Sequence, residues 1–144
     1  MSKREALPGC EGLPSYPFLS AIVRAGDYLH VSGQAGFLRG TSPTGSGDDW
    51  SPGELISGGV EAQTRQTLEN IKCALERNGS TLEDVVKVDA FLRDIDRDFS
   101  GYNDVYMEYF PKNPPARTTV GARIYGPILV EIACLAYRPV ELAR

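Results

Sequence analysis

Two residues in this chain have types and surroundings suited to chemistry. Arg117 follows Pro114-Pro115-Ala116 and opens a stretch of alternating character. A guanidinium is a rigid fork that grips a carboxylate through two parallel hydrogen bonds. A residue beside a proline hinge is held in place, as a clamp for an anionic ligand must be. The competing reading is a surface or intersubunit ion pair, and spacing alone favours it, because most arginines are solvated. Glu131 is the single charge in the run from Ile128 to Leu135. A carboxylate in an apolar strand is costly unless it is paired or used. Burial raises its pKa and suits it to general acid or base work. Its bland alternative is a structural partner of Arg123. A three-residue turn at Gly126-Pro127 would set Glu131 opposite Arg123, and a two-residue turn opposite Ala122, so the register stays open.

Other reactive side chains are scarce. The sole histidine, His30, stands in LHVSG and reads as a core or interface imidazole. A multi-histidine metal centre is impossible with it, and a serine triad would have to be built around it. Three cysteines, Cys10, Cys73 and Cys134, are far apart and form no CxxC. Neither a disulfide framework nor a zinc site is expected from them, and a reduced, cytoplasmic compartment fits that usage. Cys134 reads as a small hydrophobe, Cys73 as an inert helical thiol, and Cys10 as the exposed one. No P-loop, GxGxxG, HExxH or EF-hand pattern occurs. What remains is chemistry by carboxylate, guanidinium, hydroxyl, thiol and backbone amide.

The elements that must position these groups follow from pattern. At 144 residues the chain is one domain, since domains run to about 100–200 residues. A net charge of −4 lacks the clustered positive charge of a nucleic-acid footprint, and no apolar run is long enough for a membrane span. Residues 1–17 read as an extended arm, 18–139 as the domain, and 140–144 as a tail. Strands are expected at Phe18–Arg24 and Tyr28–Ser32 around the Gly26-Asp27 turn, then at Val86–Leu92, Arg117–Tyr125 and Ile128–Tyr137. Helical spacing predicts Glu61–Asn78 and Asp98–Phe110, with the tyrosines of the second helix in the core. Gly36–Gly59, which carries the only tryptophan, Trp50, is too long for an ordinary connector and reads as a functional loop or part strand. The order β-β-loop-α-β-α-β-β suits an α+β layer with both helices on one face. The other face then needs a partner, so oligomerisation is expected.

Five blocks in order carry a resemblance: VSGQ at Val31–Gln34, EAQTRQTLENIKCALERNGSTLEDVVKVDAFLRD at Glu61–Asp94, FSGYNDVYMEYFP at Phe99–Pro111, PPARTTV at Pro114–Val120 and VEIACLA at Val130–Ala136. Together they resemble the Rid family of reactive-intermediate deaminases, also called YjgF-like or endoribonuclease L-PSP-like proteins. The resemblance runs from about Phe18 to Pro139. It implies a chorismate-mutase-like α+β fold, a homotrimer around a central barrel, and clefts at the subunit interfaces. It implies cofactor-free hydrolysis of a carboxylate-bearing imine or enamine to an oxo product and ammonia. In that scheme Arg117 binds the substrate carboxylate, helped by the backbone amide of Thr119. Glu131 positions water, and Gly33 shapes the pocket. Phe18 stands where the family's PYSQA motif has a pocket tyrosine, with Tyr16 the nearest phenol, and Thr119 where a cysteine is common. These departures point to a pathway-specific substrate. A carboxylate sensor using the same cleft, and a ribonuclease, are the alternatives from other functional classes.

Overall fold

The computed structural model describes residues 3–143. Residues 1, 2 and 144, the outer ends of the expected arm and tail, lie outside the described residues. Six strands and two long helices follow the expected order, with one strand added at the start: β1 (Glu5–Leu7), β2 (Ile22–Ala25), β3 (Tyr28–Gln34), α1 (Val60–Arg77), β4 (Val85–Leu92), α2 (Ile95–Tyr109), β5 (Ala116–Gly121), β6 (Val130–Tyr137) and a short α3 (Val140–Ala143). They form one mixed sheet in the order β1-β2-β3-β6-β4-β5. Every neighbouring pair is antiparallel except β4 with β5, which α2 joins in parallel.

Each element has a local cause. Gly26, at φ +59°, opens the two-residue loop that sets Ala25 against Tyr28, the left-handed first position that such hairpin loops require. Helix α1 buries Val60, Thr64, Thr67, Leu68, Ile71 and Leu75 along one stripe. Its last carbonyls are closed by Gly79 N donating to Glu76 O at 3.2 Å and Ser80 N to Leu75 O at 2.9 Å, with Gly79 at φ +77°. That is the paired-bond C-terminal cap that glycine permits. Helix α2 starts three residues before the expected Asp98. The Asp94 side chain accepts from Arg97 N at 3.1 Å and caps it, and Ile95 packs against the main core.

Both helices lie on one face of the sheet, as an α+β layer demands. The core between them is built on Ile22, Leu29, Leu92, Val130 and Ile132 from the strands and Leu68, Ile71 and Leu75 from α1. Alternation sends the opposite set to the other face. Tyr28 and Tyr137 stay exposed there, with their rings 5.3 Å apart. His30 lies exposed on that open face, paired with Val23 and Leu135, so it is not a core imidazole.

Three expectations are corrected. First, β5 and β6 are not a hairpin. They are separated by β4, and Glu131 stands opposite Phe91, so neither register with Arg123 or Ala122 occurs. Strand β5 ends at Gly121, and the chain then crosses over β4. Arg93 holds that crossing, with Nε donating to Ile128 O at 2.8 Å and Nη2 to the carbonyls of Ile124 and Gly126. Second, the arm carries β1, which adds an edge to the sheet through Ala6↔Val23 and Leu7↔Ile22. Third, Cys10 and Cys73 form a disulfide, and Cys10 is buried. Sequence distance hid the pair, because β1 carries the arm back over α1. The argument for a reducing compartment from cysteine usage falls with it. Cys134 is buried among apolar neighbours, and burial pushes its thiol up to about 12.

Candidate active site

Arg117 lies on β5, on the helix-bearing face, because its partner across the ladder is the buried Val88. Helix α2 runs beneath it and presents a stack of rings. The guanidinium carbon is 4.6 Å from the Tyr106 ring centre, 5.3 Å from Tyr102 and 5.8 Å from Phe99. Nη1 donates to Asn103 Oδ1 at 2.8 Å. Ring faces attract the cation, so the fork is seated from below and fixed at one corner. Thr119, two residues on and on the same face, has its hydroxyl 3.4 Å from that of Tyr102. Tyr102 and Tyr106 are buried, as expected of core tyrosines. Burial raises both phenols, Tyr106 to about 12, so both stay neutral donors beside the cation. The unnoticed member is Asn103. Its signal was a polar residue at helical spacing inside the aromatic stripe Phe99, Tyr102, Tyr106.

Glu131 lies on the opposite face of the same sheet. It is three residues from Cys134, the β6 residue level with Val88 and Arg117. Its side chain rests on Gly33, where a Cβ would stand 3.0 Å from the carboxyl carbon and 3.1 Å from Oε1. Any larger residue at position 33 would displace the carboxylate. Burial holds the Glu131 carboxyl above its ordinary value. Arg123 shares a small cavity of about 170 Å³ with it, yet forms no ion pair with it among those of the described residues. Two polar side-chain anchors fix the entry to β6: Gln63 Oε1 accepts from Leu129 N at 2.9 Å, and Arg93 Nε donates to Ile128 O at 2.8 Å. Sequence reading missed both. An arginine closing the apolar strand VVKVDAFLR was the available sign.

Glu131 and Gly33 line a cavity of about 530 Å³, together with Phe18, Tyr16, Trp50 and Tyr125. Residues 36–56 fold over its edge and are tied by two isolated bridges, Phe37↔Leu55 and Thr44↔Ser51, so the long segment is a bridged loop and not a strand. Trp50 stands edge-on to Tyr16, with ring centres 5.9 Å apart. A second small cluster, Ala35, Ile124 and Ile128 with Phe37, Leu55 and Phe91 against it, seats both loops beside Glu131. The five expected site residues therefore fall into two groups: Arg117 with Thr119, and Glu131 with Gly33 and Phe18. One chain does not bring the groups together. Among the described residues no three His, Cys, Asp or Glu side chains gather where they could hold a metal ion, and no helix is long and apolar enough to cross a membrane.

A mixed sheet with two helices on one face, a βαβ crossover that leads into an arginine seated on aromatic rings, and a half-buried strand glutamate beside a glycine fit the YjgF-type α+β fold. The family model for Endoribonuclease L-PSP matches residues 13–138, and the chain belongs to that family, the Rid or YjgF-like proteins. It is similar to a RutC family protein of Pyrococcus horikoshii, at 40% identity over 87% of this chain and 90% of that one. It is also similar to a 2-iminobutanoate/2-iminopropanoate deaminase of Dermatophagoides farinae, at 34% identity over 71% of this chain and 70% of that one. Among solved structures, RidA from an Antarctic Psychrobacter superposes with a TM-score of 0.76, at 29% identity, covering 92% of this chain and 98% of that one.

Proposed function

We propose that the protein hydrolyses a carboxylate-bearing imine, or its enamine tautomer, to an oxo acid and ammonia, at a site completed between two copies of the chain. The observation that carries this reading is a preorganised guanidinium, Arg117 on Asn103 and three rings, and a half-buried carboxyl, Glu131, on opposite faces of one sheet. The relative named a 2-iminobutanoate/2-iminopropanoate deaminase supports the chemistry. In the assembled protein, a homotrimer closed around the open sheet faces, Arg117 of one copy grips the substrate carboxylate, with the Thr119 amide donating to it. Glu131 of the next copy faces the C=N carbon.

The residues then do simple work. Burial makes the Glu131 carboxylate a stronger base than an exposed one. Starting from the protonated imine, it takes a proton from water as the water oxygen bonds to the imine carbon and the C=N pair moves onto nitrogen, giving a carbinolamine. The same carboxyl then returns that proton to the amine, the C–N bond breaks as the hydroxyl proton passes through the carboxylate to the departing ammonia, and ammonium leaves with the oxo acid behind. The carbon is electrophilic from the start, so orientation supplies most of the acceleration. No cofactor is needed.

An imino acid generated in place by an amino-acid oxidase tests this, with semicarbazide trapping as the competing fate. The protein should accelerate hydrolysis over the spontaneous rate. Arg117→Ala should lose about 10–150-fold in kcat/KM, the equivalent of roughly 1.5–3 kcal/mol for a charge-assisted bidentate contact, with its circular dichroism unchanged. Arg117→Lys should recover little, because a point charge cannot replace the fork. Binding of a small carboxylate without any acceleration would make the protein a sensor instead.

A further inference from the structure

The wall of the cavity beside Glu131 is aromatic, and folding leaves part of it in water. Phe18 is 72% exposed and Tyr125 54% exposed, in a concavity they share with Tyr16 and Trp50. The rings are arranged rather than scattered. Tyr16 and Phe18 have ring centres 5.4 Å apart, Trp50 is edge-on to Tyr16, and the Tyr125 hydroxyl donates to the Trp50 carbonyl at 3.0 Å. Large rings converging on one hollow are covered favourably by an apolar ligand that returns edge and face contacts. Of the described residues lining the cavity only Glu131 and Arg77 carry charge, and Arg77 Nη1 donates to Gly9 O at 2.8 Å. The hollow is therefore suited to a neutral group. Its volume of about 530 Å³ falls in the range that encloses a drug-sized molecule, well beyond a side chain of one or two carbons.

We infer that the substrate carries an aromatic side chain on its imine carbon, an arylmethyl group whose ring enters among Tyr16, Phe18 and Trp50 while the C=N carbon faces Glu131. The reaction part of this inference rests on the deaminase reading; the seat for the ring does not. Trp50, on the loop bridged at Phe37↔Leu55 and Thr44↔Ser51, is a specificity-determining residue.

The test compares two stable carboxylates that differ by one phenyl ring. Calorimetric titration of the full chain, as it assembles in solution, should show 3-phenylpropanoate binding about ten- to a hundredfold more tightly than propanoate. Trp50→Ala and Phe18→Ala should each cut that ratio by at least about fivefold, with circular dichroism confirming that both fold. In parallel, the imine made from phenylalanine should show a kcat/KM above that of the imine made from alanine by a similar factor. Equal affinities for the two carboxylates would overturn the inference, as would a ratio preserved in both ring variants. Hydrolysis of the alanine-derived imine in that case would leave the deaminase reading intact. Ring-selective binding with neither imine hydrolysed would instead sink the deaminase reading and keep the aromatic seat.

Discussion

Arg117 and Glu131 are prepared in opposite ways. The arginine is given partners: three ring faces and one amide oxygen hold it. The glutamate has partners withheld, and burial alone is the cause of its raised pKa. A carboxyl whose folded pKa lies above its unfolded one contributes stability that is fully present below the unfolded value. That contribution is lost as pH rises through the folded value. At neutral pH the ionised Glu131 is thus a burden on the fold. Glu131→Gln should therefore melt no lower than the parent at pH 7, and the melting temperature of the parent should fall relative to the variant as pH rises from about 4 through the raised pKa. Its kcat should fall by about a hundredfold, the low end of general-base contributions, because an imine is intrinsically labile. A variant that melts far lower and keeps its kcat would make Glu131 scaffold. Arginine fork and lone strand carboxylate are both legible as residues, and the family resemblance supplies Gly33 beside the carboxylate. Asn103 is not legible, because it becomes meaningful only once α2 is packed beneath β5.

At the scale of elements, period and punctuation carried most of the fold. Helix α1 sits one residue from its expected bounds, and the two-residue turn at Gly26-Asp27 forms as read. What failed was pairing beyond the nearest neighbour. Strands β5 and β6 are adjacent in sequence with a Gly-Pro turn signal between them, yet β4 inserts between them. The tethers that send the chain past β4, from Arg93 to the carbonyls of Ile124, Gly126 and Ile128, are side-chain to backbone bonds that no periodicity reveals. The arm was misjudged for the same reason. Asn78 Nδ2 donates to Pro8 O at 2.8 Å, Arg77 to Gly9 O, and the Cys10–Cys73 disulfide closes a separation of 63 residues. A crosslink over a loop of that length is worth about 4 kcal/mol in the chain-entropy treatment, with about 2–4 typical in practice. Cys73→Ser, or full reduction of the parent, should lower unfolding stability by about that amount, read as a shifted urea midpoint. An unchanged midpoint would mean that β1 and the side-chain tethers hold the arm unaided.

At the scale of the whole molecule, the sheet is covered on one face and bare on the other. Tyr28, Tyr137 and Val120 are exposed hydrophobics on that bare face, with half-buried Leu135 and Phe91 beside them. Such a surface on a chain of this size calls for a second layer, and light scattering at micromolar concentration should give three times the chain mass of 15.7 kDa. A monomer would remove the shared site. The opposed faces of Arg117 and Glu131 lead further still. If every catalytic centre borrows one group from each of two chains, two dead proteins can mend each other. Arg117→Ala subunits still carry a sound glutamate, and Glu131→Gln subunits a sound arginine. Unfolded together in equal amounts and refolded, they scramble at random around a closed ring. A given centre then draws its glutamate from the first kind and its arginine from the second in about one case in four, whatever the size of the ring. The mixture should regain about a quarter of the parent turnover, while each variant refolded alone keeps only its own residual activity, about a tenth or less.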